Sequence, residues 1–274
     1  MTDTRPTIMY GTAWKEDRTA ECARQALAAG FRAIDTANQR RHYFEAGVGE
    51  AVHELLGSGK VPRDLLFLQT KFTYVRGQDH RLPYDPDAPL TRQVEQSMAS
   101  SLEHLRVTYV DSYVLHGPSH GAGWSKDDQE VWEAMVGLRD AGKTRALGVS
   151  NVSRRHLDDL AAAGGAMPAY VQNRCYARMG WDRPVREFCK ERNIAYQGFS
   201  LLTANPEVLS SRKTAAIAQR VGGTVAQVVF RFSQQVGMLP LTGTTDPAHM
   251  KEDLACESFT LTEDEVAALE SLAG

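Results

Sequence analysis

The chain has 274 residues, of which 42% are hydrophobic and 24% charged, with a formal net charge of −3. That is an average globular composition with ample core for one large domain, and its weak acidity gives no electrostatic reason to bind nucleic acid or an anionic membrane. No apolar run approaches the roughly 20 residues of a spanning helix, and the opening MTDTRPTIMYG has no basic segment followed by an apolar one, so neither a membrane span nor a secretory signal is expected. Cys22, Cys175, Cys189 and Cys256 lack CxxC or CxxxH spacing, which argues against a disulfide framework and a zinc site and predicts a cytoplasmic, reducing setting with no metal.

In chain order, β-rich apolar runs occur at TIMYGT (7–12), FRAID (31–35), DLLFLQTK (64–71) and YVDSYVLH (109–116). Four more follow at TRALGVSN (144–151), AYVQNRCY (169–176), NIAYQGFS (193–200) and GMLPLTG (237–243). Segments of helical spacing lie between them. ARQALAAG ends on Gly30, as a left-handed C-cap would. VEQSMASSLEHLRV sets Val94, Met98, Leu102 and Leu105 on one stripe, and VWEAMVGLRDAGK and RRHLDDLAAAGG each close on glycine. Eight β/α units without a linker predict a single (β/α)8 TIM barrel over residues 1–274. A doubly wound open sheet is the alternative, but no GxGxxG follows an early strand.

In such a barrel the chemistry sits at the C-terminal strand ends. Asp35 ends the second strand, Lys71 the third and His116 the fourth, and Tyr43 stands in the loop after the second, in DTANQRRHYFEAGVGEA. Singly, each has a plainer reading: an ion pair, a bonded core histidine, a packed aromatic. Together they make a proton-donating set. A tyrosine is a weak acid near pKa 10, a nearby ammonium would lower that value, an aspartate would aim the ammonium, and a neutral histidine would orient a carbonyl. No nucleophile stands out, so an external hydride donor is the natural complement.

YGTAW, DTA…Y…EAGVGEA, QTK, LHGP, GVSN, PAYVQN, FSLL and PLTGTT, in order at barrel spacing over nearly the whole chain, resemble the aldo-keto reductase family. The resemblance implies NAD(P)H-dependent reduction of aldehydes and ketones, with Asp35, Tyr43, Lys71 and His116 as catalytic tetrad. It also implies that Ser150, Asn151 and Gln172 hold the nicotinamide carboxamide, and that Phe199 stacks on the ring where the family usually has tyrosine. Ser200, Leu202 and Asn205 would follow along the pyrophosphate. Thr242, Gly243, Thr244, Thr245, His249 and Asp253 would line the adenosine end.

Three departures accompany the match. Arg40, not a tyrosine, stands five residues after Asp35; the loop is two residues longer, leaving His42 or Tyr43 at the family's tyrosine position, and Tyr43 is the tyrosine available there. The family's PKS…R signature for a 2′-phosphate is absent, with His249 where arginine is expected. NADP(H) with weak discrimination against NAD(H) is therefore predicted, with Asp246 or Thr245 capping a short helix that begins at Pro247 and turns its N–H groups toward a phosphate. The family's N-terminal hairpin and long C-terminal loop are not recognisable, which predicts a shallow pocket walled by Trp14, Phe72, Tyr74, Trp124 and Tyr176. The expected partner is a small carbonyl compound, and the expected assembly a monomer or weak homo-oligomer. A nucleotide-binding redox sensor with little turnover, or a Schiff-base aldolase on Lys71, are the competing readings.

Overall fold

The protein, described from residue 6 to residue 272 by a computed structural model, forms a closed barrel of eight parallel strands in sequence order. The strands are β1 (Met9–Gly11), β2 (Ala33–Asp35), β3 (Phe67–Phe72), β4 (Val110–Leu115), β5 (Thr144–Ser150), β6 (Tyr170–Arg174), β7 (Ala195–Phe199) and β8 (Met238–Thr242). All eight expected runs are strands, trimmed at their ends. Closure comes from β1 against β8, with Met9 opposite Leu241 and Tyr10 opposite Thr242.

The outer ring holds α1 (Thr19–Ala29), α2 (Glu45–Gly57), α3 (Leu90–Leu105), α4 (Lys126–Asp140), α5 (Arg154–Ala163) and α6 (Arg183–Glu191). Three helices, α7 (Pro206–Leu209), α8 (Arg212–Val221) and α9 (Val225–Gln235), lie between β7 and β8, and α10 (Pro247–Leu254) and α11 (Glu263–Glu270) follow. The stripe read in α3 is the buried one: Val94, Met98 and Leu105 are inside, and Leu102 packs against the same core. Gly30 does cap α1, but at φ +121°, a region open to glycine and outside the left-handed helical basin. Among the described residues no helix is long and apolar enough to cross a membrane.

Strand alternation sorts the side chains into two cores. Most apolar residues fill the layer between sheet and helices. Met9, Ala33 and Leu241, with Phe67, Phe199 and Leu239 against them, form a separate small cluster inside the barrel. Two residues further along the same inward faces come Asp35 after Ala33, and Gln69 then Lys71 after Phe67. The barrel interior thus passes from apolar to polar toward the strand C-termini. Phe72, one residue past Lys71, points the other way. It is wholly buried against Tyr74 and Tyr84 in the outer layer, so it is no wall of the cleft.

Candidate active site

The core of the site is an ion pair sealed inside the barrel. Lys71 Nζ donates to both carboxylate oxygens of Asp35, at 2.6 and 2.7 Å, and to the Thr36 carbonyl at 2.8 Å. Both residues are buried, and charges so placed need each other and their remaining hydrogen bonds to be tolerable. Two glutamines supply bonds to the carboxylate, and a third braces them. Gln69 and Gln172 donate to Asp35 Oδ1 at 2.7 and 3.0 Å. Both also donate to Gln197 Oε1, which returns a bond from its own amide to Gln69 Oε1 at 3.0 Å. Gln69 and Gln197 escaped the sequence reading. A glutamine at an inward strand position is the only signal they leave.

Tyr43 reaches this pair from the loop after β2. Residues 39–43 make a tight turn in which the N–H groups of His42 and Tyr43 both donate to the Gln39 carbonyl. The Gln39 amide is anchored on Gly77, and Asn38 on Ser97. The longer loop is thereby folded into the turn, and Tyr43 arrives beside the strand ends. Its ring stands edge-on to His116 with centroids 5.8 Å apart, and Lys71 Nζ is 5.1 Å from its centroid. His42 points elsewhere: its ring lies on that of Trp14 at 4.0 Å, at the exposed rim.

The electrostatics differ from the expectation in one respect. Burial, and next the Asp35 carboxylate, push the Tyr43 phenol above its ordinary value, with the Arg174 charge opposing them. Tyr43 therefore holds its proton firmly at neutral pH. His116 is held well below the usual histidine value by burial, then by Lys71, then by His42, so its ring is neutral. Its Nδ1 lies 2.7 Å from the Thr73 hydroxyl. With that hydroxyl donating, the ring hydrogen sits on Nε2 and remains available to an acceptor in the cleft.

A carboxamide-sized donor and acceptor set adjoins the ion pair. Asn151 sits in the left-handed region at φ +55° after β5, its amide donating to the His116 carbonyl and to Ser150 Oγ. Those bonds leave Asn151 Oδ1 as an acceptor and the Ser150 hydroxyl hydrogen as a donor. Gln172, with both amide hydrogens engaged, leaves Oε1. Two acceptors and a donor are what a primary carboxamide needs, so these residues fit a nicotinamide. Phe199 offers a ring two residues beyond Gln197, the register partner of Gln172, and Ser200 after it is also left-handed, at φ +56°. Such backbone positions gather at functional strand ends.

Further round, the fit to the predicted cofactor list is uneven. Leu202 is half-buried and Thr244 and Thr245 lie along the β8 loop beside Gly243 and the exposed His249. Asn205 is different: its amide hydrogens go to Cys175 and Leu201 carbonyls and its oxygen accepts from Ala177 N, so it shapes the loop and has no hydrogen left for a phosphate. Asp253 is buried and accepts from Thr242 Oγ1 at 2.6 Å, and burial pushes its carboxyl up to about 6. Both are corrections to the expected contacts. Lys15, which carried no sequence signal, is buried with its ammonium on the Gly243 carbonyl at 2.7 Å and over the Tyr10 ring.

Of the expected pocket walls, Trp14 stands at the rim. Trp124 is seated edge-on against Trp132, with its indole nitrogen on Gln129. Tyr74 is tied to Asp128 through its hydroxyl, and Tyr176 lies under Arg178.

The aldo/keto reductase family model matches residues 7–273. The chain belongs to the aldo/keto reductase family. An aldo-keto reductase of Mycolicibacterium vanbaalenii is 32% identical over 98% of this chain and 89% of its own. The 9,11-endoperoxide prostaglandin H2 reductase of Trypanosoma cruzi is 31% identical over 93% of this chain and 82% of its own. Among solved structures, an aldo/keto reductase of Brucella melitensis superposes with a TM-score of 0.82 at 27% identity, covering 97% of this chain and 93% of that one. A Bombyx mori aldo-keto reductase solved with NADP shares the fold, with a TM-score of 0.83 at 24% identity over 98% of this chain and 89% of that one. Membership in this family makes the chain an oxidoreductase by descent.

Proposed function

We propose that the protein reduces aldehydes or ketones to alcohols with a nicotinamide cofactor, NADP(H) in preference to NAD(H), using Tyr43 as the proton donor. The observation that carries this reading is the gathering of the Tyr43 phenol, the His116 imidazole and the sealed Lys71–Asp35 pair at neighbouring strand ends, in contact with Asn151 and Gln172. When bound there, a reduced nicotinamide supplies the hydride.

The residues divide the remaining work. His116 Nε2–H donates to the carbonyl oxygen and orients it, costing no desolvation of a charged ring. Tyr43 gives its proton to that oxygen as negative charge develops on it, and an alkoxide is a base strong enough to take it. Lys71 then stabilises the phenolate left behind, and Asp35 keeps the ammonium aimed. Such electrostatic and acid contributions matter because the groups are fixed before the charge appears. Gln172 Oε1, Asn151 Oδ1 and the Ser150 hydroxyl hold the carboxamide, and Phe199 supports the ring by stacking.

The deciding experiment is Tyr43→Phe. Turnover of a simple aldehyde should fall by about 10²-fold or more, while fluorescence titration with NADPH gives an affinity close to wild type. Near-normal turnover would remove Tyr43 from the role. Tight NADPH binding by the wild type with no turnover on any carbonyl would identify a nucleotide-binding sensor instead.

A further inference from the structure

Two strand ends bring cations to the opening. Lys71 is neutralised by Asp35, whereas Arg174, the last residue of β6, is exposed, and among the described residues its side chain has no carboxylate partner and no hydrogen bond. Its position is inward: it lies two residues past Gln172 on the same face and pairs in register with Phe199 on β7. The guanidinium carbon is 5.4 Å from the centroid of the Phe199 ring. The ring attracts the cation without using its N–H groups, which stay free for a carboxylate to bind in a fork.

We propose that Arg174 binds a carboxylate carried by the carbonyl substrate, so that the preferred substrates are oxo acids. The inference rests on the reductase reading above. Around the Tyr43 phenol the structure sets one carboxylate, Asp35, which is paired, and one guanidinium, Arg174, whose charge opposes the upward push on the phenol. An anionic substrate entering there meets an uncompensated positive charge. The cofactor's phosphates are a poorer match for this cation, because they belong to the β7 and β8 loops, where Lys15 already places an ammonium at Gly243. The Arg174 charge, by contrast, acts on the Tyr43 phenol.

In the reaction a hydride passes from the reduced nicotinamide to the carbonyl carbon, the C=O π pair becomes the bond to the proton from Tyr43, and Tyr43 is reprotonated from solvent. Oxo acid, reduced cofactor and one proton become hydroxy acid and oxidised cofactor; the carboxylate takes no part beyond binding.

The test compares each acid with its uncharged ester on the full chain with NADPH: succinate semialdehyde with its methyl ester, and pyruvate with methyl pyruvate. The two chain lengths cover a carboxylate next to the carbonyl and one further away. Wild type should favour the acid of at least one pair by about tenfold or more in kcat/KM, equal to about 1.4 kcal/mol. Arg174→Gln should abolish that preference through KM, leave ester turnover within about threefold, and leave NADPH affinity unchanged, with Arg174→Lys recovering part of the preference. Because Arg174 is exposed, folding should survive both changes. Indifference of the wild type to the carboxylate, or equal losses on acid and ester in Arg174→Gln, would overturn the proposal. Weakened NADPH binding in that variant would assign the arginine to a cofactor phosphate and also overturn it. If esters and simple aldehydes are reduced but acids are never favoured, this inference alone falls. If no carbonyl is reduced at all, the reductase reading falls and takes this one with it.

Discussion

Asp35 and Lys71 show how much a buried charge asks of its neighbours. The aspartate receives hydrogen bonds from Lys71, Gln69 and Gln172, and the lysine has a third acceptor in the Thr36 carbonyl. Lys71→Met strands the carboxylate, and Asp35→Asn leaves the ammonium with neutral acceptors only. Each should destabilise the fold, by about 3–5 kcal/mol for the lysine change and by less for the asparagine, which keeps the planar shape of the carboxylate and one acceptor oxygen. Lys71→Met should also abolish turnover, and Asp35→Asn should reduce it less, since the charge survives without its aim. Urea denaturation and steady-state kinetics on the two variants check this. Turnover above about a tenth of wild type in Lys71→Met, a barrier change below 1.4 kcal/mol, would make the pair structural only. The aspartate also explains why Tyr43 is not a strengthened acid at rest. Burial and the Asp35 charge set the phenol's resting value, although the Lys71 ammonium is only 5.1 Å from the ring centre.

At the scale of one element, α10 decides how the cofactor's far end is read. Asp246 caps it as the sequence suggests, with Pro247 in the first turn. The cap has a consequence opposite to the one expected from a bare helix terminus. Asp246 Oδ1 already accepts from Ala248 N at 2.7 Å and His249 N at 3.4 Å, so a carboxylate stands where a phosphate would look for those N–H groups. Opposing it are the exposed His249 and Lys251, and Lys15 on the inner side. Acid and base in one short segment predict a narrow preference for NADPH over NADH, roughly ten- to a hundredfold in kcat/KM, or about 1–3 kcal/mol. Kinetics with both cofactors measure it. A preference above a thousandfold would require a stronger phosphate contact than these residues make, and a preference for NADH would mean Asp246 outweighs the cations.

Across the whole molecule, the helix ring must close as tightly as the barrel does. Among its glycines the tightest approach is Gly49 of α2 against the end of α3, where an added Cβ would lie 1.9 Å from the His104 carbonyl oxygen and 2.9 Å from the Leu105 Cα. Those are backbone atoms and cannot swing aside. The approach lets buried Glu45 take hydrogen bonds from Thr70 on β3 and from His104 Nδ1 on α3, tying two helices to one strand. Gly49→Ala should cost about 3 kcal/mol or more, beyond the usual range for an overpacked methyl group. Gly57→Ala, at the end of the same helix with nothing within 4 Å, should be neutral or slightly stabilising. Thermal melts of the two variants separate packing from propensity. Equal melting points would show that α2 and α3 slide apart freely.

Strand existence and order were legible in the chain because burial on both faces demands continuous apolar runs, and turns demand glycine or polar breaks at each end. Asp35, Lys71 and His116 could be placed together at one end of the barrel from their joint occurrence at the ends of successive strands. Other features needed the folded molecule. Whether His42 or Tyr43 entered the site depended on one backbone turn anchored by Gln39 on Gly77, a contact across 38 residues of sequence. Phe72 and Lys71 are neighbours with opposite fates, because successive strand residues point to opposite faces and only the register says which face is which. Asn205 and Asp253 carried the right chemistry for a cofactor, but tertiary hydrogen bonds had already claimed them. Arg174 had no meaning in the sequence beyond one more charge. Its place beside Phe199, unpaired at the opening, exists only because β6 and β7 align those two residues.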